Sequence, residues 1–135
     1  MKLDQTRFGS AHLPTEIRQI SAEKVLEITW ENGLKSRYSM EALRVFCPCA
    51  ECRGHTPDQK KLIDGKLDVT LKMIEPVGHY AVRLGFSDDH DSGIYDWEML
   101  FDLDENMETY WKGYEAELQQ AGKRRRPSVF AIKVV

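Results

Sequence analysis

Three cysteines within one short segment constrain this chain more than any other feature of its sequence. The segment runs from Cys47 through Cys49 to Cys52 and contains every cysteine of the 135 residues. A disulfide framework uses an even number of cysteines spread along the chain, so these thiols point to metal or redox chemistry in a reducing compartment. Three thiolates this close together can meet at one zinc ion. The sequence therefore predicts a metal site, with a redox switch as the alternative.

A closed zinc site needs a fourth donor, and two histidines are candidates. His55 follows Cys52 closely, and a short loop closes at a small cost in entropy. His90 follows a predicted strand, and Asp89 or Asp91 could orient its imidazole. A ligand so far along the chain would also tie two parts of the domain together through the metal. The residues alone leave both histidines open.

Alternating apolar and polar residues predict a set of short strands, because every second residue of a strand faces the same side. Leu26, Ile28 and Trp30 share one such face, and Asn32-Gly33 is a turn pair typical of a β-hairpin. The predicted strands lie at residues 15–20, 25–30, 34–38, 69–74 and 80–86, with an edge strand or a frayed end at 129–135.

Capping residues predict three helices. Ser39 is expected to cap a helix over residues 40–46, which leads directly to the cysteines. Asp96 is expected to cap a second, short helix. A third helix over residues 106–120 is expected to stop at Gly122. The predicted fold class is α+β: a small, mostly antiparallel β-sheet with short helices, stabilised by a structural metal.

The chain is expected to form one metal-binding domain over residues 15–122, between a loosely ordered segment, 1–14, and a basic tail, 123–135. Its net charge of −3 argues against nucleic-acid binding, which usually needs a basic surface. No apolar run approaches the roughly 20 residues of a membrane span, and the first residues lack the apolar core of a secretory signal. We therefore expect a cytoplasmic location.

The chain lacks the sequence signatures of several enzyme classes. The H-x-D/E pattern of iron oxygenases is absent after all four histidines, as are the phosphate-binding G-x-x-x-x-G-K-[ST] loop and the G-x-S-x-G elbow. A zinc ion with four protein ligands also lacks the open position that activates water. The sequence therefore favours a protein without catalytic activity.

Two charged segments could contact a partner of opposite charge, although solvated surface is the commoner explanation. Residues 88–108 carry acidic side chains without any lysine or arginine, and residues 123–126 are all basic. His12 is likewise expected to be exposed. The three tryptophans are expected to pack in the core.

Two long motifs are shared with a known domain family. They read LRVFCPCAECRG from Leu43, and VGHYAV from Val77 followed by FSDDHDSGIY from Phe86 and WEML from Trp97. In this order, over about residues 15–103, they resemble the gamma-butyrobetaine hydroxylase-like N-terminal domain family.

This resemblance implies a zinc site formed by Cys47, Cys49, Cys52 and His90, with His55 as the second choice. In the hydroxylases, the domain precedes a 2-oxoglutarate- and iron-dependent catalytic domain. Similar domains stand alone in bacteria or are fused to iron–sulfur carrier ATPases. The chain is expected to be a stand-alone bacterial member, because it is too short to add a catalytic barrel.

The function that these observations favour is a zinc-binding, non-catalytic protein-interaction module, accessory to iron–sulfur cluster assembly. One alternative is a carrier of iron or of a [2Fe–2S] cluster on the same ligands, since such clusters accept cysteine and histidine. Another is a thiol redox sensor. The expected partner is another protein, with no nucleic acid and no membrane.

Overall fold

A computed structural model of the chain describes residues 12–54 and 56–127. This part contains two antiparallel sheets of three strands each, and the α+β fold class is confirmed, with two small sheets where the sequence predicted one. The first sheet has the order β1 (Pro14–Ile20), β2 (Val25–Trp30), β3 (Lys35–Ser39). The second has the order β4 (Leu71–Val77), β5 (Ala81–Phe86), β6 (Gly93–Asp96).

The described helices are α1 (Met40–Val45), α2 (Ala50–Arg53), α3 (Trp97–Glu105) and α4 (Met107–Ala121), with short 3-10 turns at Ser21–Glu23 and Pro57–Gln59. Ser39 caps α1 by accepting a hydrogen bond from the N–H of Ala42, and Asp96 caps α3 through the N–H of Met99. Gly122 ends α4 with a φ of 68°. The three predicted helix boundary residues are therefore confirmed. None of these helices combines the length and the apolar character that crossing a membrane requires.

The first hairpin follows the predicted pattern. Leu26, Ile28 and Trp30 are all at most 1% exposed, so the alternating face of β2 is a core face. Gly33 closes the turn with a φ of 87°, a backbone angle that favours glycine. The side-chain oxygen of Asn32 accepts a hydrogen bond from the N–H of Leu34 at 3.0 Å.

Side chains from both sheets belong to one buried cluster, which also contains the three cysteines. Two buried tyrosines connect this core to the helices by hydrogen bonds. The Tyr38 hydroxyl of β3 donates to the carbonyl oxygen of Leu100 in α3 at 2.5 Å. The Tyr95 hydroxyl of β6 donates to the carbonyl oxygen of Leu43 in α1 at 2.6 Å. The core therefore holds α1, which leads to the cysteines, against β6, which follows His90.

Several local predictions need correction. Tyr80 was expected to begin the strand over residues 80–86, but it precedes β5 and is 50% exposed. His12 was expected to be exposed, but its ring stacks on Phe101 at 3.7 Å and its Nδ1 lies 2.8 Å from an oxygen of Glu98. The short elements α2 and β6 were not predicted, because four residues are too few to show a period. The strand expected at 129–135 lies outside the described residues.

The basic segment after α4 packs on the domain. The N–H of Gly65 donates to the carbonyl oxygen of Arg124 at 2.9 Å. The N–H of Leu67 donates to the carbonyl oxygen of Arg125 at 3.0 Å. The Arg125 guanidinium also forms two hydrogen bonds, of 2.7 and 2.9 Å, with the carboxylate of Glu41, which is 5% exposed. Part of this segment is therefore bound to α1.

Replacing Arg125 with alanine should destabilise the protein. The buried Glu41 carboxylate would lose its paired cation, at a cost of about 1–3 kcal/mol in the free energy of unfolding. Arg126→Ala is the matched control, because Arg126 is exposed in the same segment. The measurement is urea unfolding followed by tryptophan fluorescence. Equal unfolding midpoints for the two variants would contradict the assigned role of the Arg125–Glu41 pair.

Candidate metal centre

The structure brings the four predicted ligands together. Nε2 of His90 lies 3.3, 3.4 and 3.6 Å from the sulfurs of Cys47, Cys49 and Cys52, respectively. All four donor atoms lie within 4.8 Å of one another. A tetrahedral zinc ion with the usual bond lengths would separate its nitrogen and sulfur ligands by about 3.6 Å. The donor set therefore fits a single metal ion, while His55 lies outside the described residues.

A short change of backbone direction gathers the three sulfurs. Cys47 follows the end of α1, and Pro48 disfavours a further helical turn there. Cys49 is the N-cap of α2, and its carbonyl oxygen accepts hydrogen bonds from the N–H groups of Cys52 and Arg53 at 3.1 and 2.9 Å. This single turn of α2 brings the Cys52 sulfur back to the side of Cys49.

His90 reaches the cysteines from the loop between β5 and β6. The N–H of Phe86 donates to the carbonyl oxygen of His90 at 2.9 Å, and an Asp88 oxygen accepts from the N–H of His90 at 3.3 Å. Within the described residues, the imidazole forms no hydrogen bond with the carboxylate of Asp89 or Asp91, and the Asp91 carboxylate lies 3.9 Å from Arg83. Backbone hydrogen bonds and Asp88 hold the loop instead.

Gly93, the first residue of β6, lies directly against the cluster. A Cβ at this position would lie 2.6 Å from the sulfur of Cys47 and 2.9 Å from the ring of Tyr95. Carbon atoms do not approach so closely, so only glycine fits between the ring and the sulfur. The Cys47 side chain is fully buried, and those of Cys49 and Cys52 are nearly so.

Arg44 balances the charge of the cysteines from within α1. It is 7% exposed, and its Nη1 lies 3.6 Å from the sulfur of Cys52. Its Nε donates to Asp88 at 2.8 Å, and Lys66 pairs with the same Asp88 oxygen at 2.7 Å. Three thiolates around a divalent ion leave one net negative charge, which the nearby guanidinium stabilises.

The thiol groups differ in acidity because their surroundings differ. Burial raises the pKa of Cys47 to about 12. Burial alone would also raise the pKa of Cys49, but hydrogen bonds from Ser92 and from the Cys52 backbone lower it to about 6. Burial raises the pKa of Cys52 despite the favourable contact with Arg44. A metal ion that takes these thiols as thiolates must therefore displace protons from Cys47 and Cys52, whose pKa values are raised.

Arg44, Asp88 and Gly93 were not identified from the sequence as parts of the centre. Arg44 precedes Cys47 by three residues on a predicted helix, so a shared helix face could have indicated it. No pattern in the sequence indicates that Gly93 contacts a sulfur. Several carboxylates of the acidic segment 88–108 have internal contacts, which makes this segment less like a free docking face.

The sequence matches the family described as gamma-butyrobetaine hydroxylase-like, N-terminal, over residues 17–101. This protein belongs to that family. The match contains all four residues of the cluster, and it confirms the family that the two motifs predicted. It also corresponds to the N-terminal domain of the hydroxylases, not to their catalytic domain.

Solved structures of similar proteins support this membership. A crystal structure from Acidithiobacillus ferrooxidans, described as a protein of unknown function of the DUF971 family, is 44% identical with a TM-score of 0.58. The alignment covers 67% of this chain and 91% of that one. Two NMR solution structures are 38% and 37% identical, with TM-scores of 0.74 and 0.76. They cover 92% and 94% of this chain, and 98% and 96% of their own.

Replacing Gly93 with alanine should weaken metal binding, because the added methyl group would displace the Cys47 sulfur. We expect a loss of about tenfold to a hundredfold in metal affinity, as for other changes beside metal ligands. Competition with a chromogenic chelator measures this affinity. Gly113→Ala is the control, since a Cβ there meets nothing within 4 Å. Unchanged affinity in Gly93→Ala would contradict the expected displacement of the Cys47 sulfur.

Proposed function

We propose that this protein is a zinc-binding, non-catalytic protein-interaction module, accessory to iron–sulfur cluster assembly. The observation that carries the zinc assignment is the Cys47, Cys49, Cys52 and His90 donor set, whose atoms lie within 4.8 Å of one another. Four protein donors complete the tetrahedron that zinc prefers in structural sites. Such an ion has no open position at which to activate water, which supports a role without catalysis.

The spacing favours one ion over an iron–sulfur cluster. In a [2Fe–2S] cluster, the four protein ligands are divided between two iron atoms, whereas these donors surround one point. A single iron ion on the same ligands is the second candidate. The mixture of three thiolates and one imidazole is a common ligand set of structural zinc.

The interaction role is supported by the position of the centre and by the family. The donors come from two segments that lie far apart in the sequence, so a bound ion would hold the segment after α1 against the loop before β6. The resemblance to domains that accompany hydroxylases and iron–sulfur carrier ATPases supports a helper role beside another protein. The connection with iron–sulfur assembly rests on that resemblance.

Protein purified without added metal should contain about one zinc ion per chain, and His90→Ala should lose most of it. Elemental analysis by mass spectrometry measures both. His79→Ala is the matched control, because His79 is not part of the cluster. His55→Ala tests the local alternative and should retain the metal.

Other results would reassign the centre. Iron together with visible absorbance would favour the carrier. Absence of metal, with three thiols that react rapidly with a disulfide reagent before any chelator is added, would favour the redox sensor. Zinc-bound thiols should react slowly until a chelator removes the ion.

The proposed partner is a component of iron–sulfur assembly. In cells whose chromosomal copy of this protein carries a tag, crosslinking should recover a component of iron–sulfur assembly with the wild type. The His90→Ala variant should recover much less of that component. Deletion of the gene should slow growth under iron limitation, and the wild-type gene should restore it. Normal growth of the deletion strain, with no assembly protein recovered, would argue against this role even if zinc is present.

A further inference from the structure

A groove of about 560 Å³ lies between the cysteine loop, residues 46–53, and the last two helices, α3 and α4. Its walls are apolar and aromatic, formed mainly by Phe46, Met99, Leu103, Tyr110 and Tyr114. Pockets that bind small molecules usually have volumes of about 300–1,000 Å³ and walls of this kind. The groove is separate from the metal donors, although Phe46 directly precedes Cys47.

Gly113 lines this groove from the interior of α4, and the fold does not explain it. Glycine disfavours a helix interior, where it costs about 1 kcal/mol relative to alanine. Apart from its chain neighbours and the backbone of its own helix, no atom lies within 4 Å of the position that a Cβ would occupy, and the backbone of Gly113 does not have a positive φ. The missing side chain leaves open space along this part of α4, on the side that lines the groove.

Arg53 provides a fixed cation beside the groove. Its Nε donates to the carbonyl oxygen of Cys47 at 3.3 Å, and its Nη2 to that of Phe46 at 3.2 Å. These bonds hold the guanidinium in place but leave N–H groups unused, and no carboxylate pairs with it in the described part of the chain. A guanidinium held in this way is suited to bind a carboxylate.

The other charged residues of the groove already have partners. Asp102 accepts hydrogen bonds from the Tyr110 hydroxyl at 2.6 Å and from Asn106 at 2.8 Å. Lys60 lies 3.8 Å from the carboxylate of Glu117. Among the described residues, Arg53 is therefore the cation of this groove that has no carboxylate partner, and its exposed guanidinium is accessible to one.

We propose that the groove binds a small organic carboxylate with a flat apolar body. The carboxylate would accept hydrogen bonds from Arg53, and the apolar body would pack over Gly113 against Phe46 and Tyr110. The volume suits one small ligand better than a protein partner, whose interface usually involves about 20–30 residues a side. This binding activity goes beyond the proposed interaction role and does not depend on it.

The test uses indole-3-propionate and its neutral amide as probes, titrated into ¹⁵N-labelled, metal-loaded protein. The acid should give saturable NMR shifts at Arg53, Tyr110 and Gly113, with a dissociation constant on the order of a millimolar, as expected for a fragment. The amide should bind about tenfold more weakly, because it lacks the charge.

Two variants on α4 form a matched pair. Gly113→Leu should abolish the shifts, because its side chain would fill the groove without meeting another atom near the Cβ. Ala116→Leu adds the same side chain at an exposed position outside the groove and should bind the acid as the wild type does. The NMR spectrum of the backbone N–H groups confirms in each case that the variant is folded.

Equal affinity for the acid and the amide would overturn the role of Arg53 and with it the proposal. Saturable binding that survives in Gly113→Leu would place the ligand elsewhere and have the same effect. The absence of saturable shifts with the acid would also overturn it. If Gly113→Leu then disrupted a purified protein complex, the groove would belong to a protein partner instead.

Discussion

The convergence of two loops on one buried point is the constraint on which the rest of this structure depends. The cysteines follow α1, the helix after the first sheet, and His90 lies in the loop between β5 and β6 of the second sheet. Without an ion, three nearly buried thiols and an imidazole would be held together mainly by the surrounding core. A metal bond at this point would connect distant parts of the chain, which adds metal-binding free energy to folding free energy.

Charge is as important as shape around this centre. Arg44 is buried against Cys52, and a buried cation is costly unless it is paired and hydrogen-bonded. Asp88 provides this pairing, and contacts with Lys66 and Arg44 lower its pKa to about 2 although burial opposes the shift. The same aspartate accepts from the backbone of His90. The side chain that neutralises Arg44 therefore also holds the histidine loop.

The sequence predicts the elements whose signals are local and misses those that depend on contacts across the fold. The alternation of β2 and the caps at Ser39 and Asp96 are properties of neighbouring residues, so they were found. The choice of His90 required the family resemblance, because spacing alone favoured His55. The Gly93 contact with a sulfur is set by how β6 packs on Cys47, which no local pattern records.

The cysteine loop also determines the surroundings of the groove. Arg53 directly follows Cys52, and its guanidinium is fixed by the carbonyl oxygens of Phe46 and Cys47. These carbonyl groups keep their positions only if the backbone around Cys47 keeps its turn, which metal binding to the three sulfurs would reinforce. Metal binding and ligand binding would then share one backbone segment. A coupling between them needs no separate conformational switch, because the loop that holds the ion is also the loop that orients Arg53.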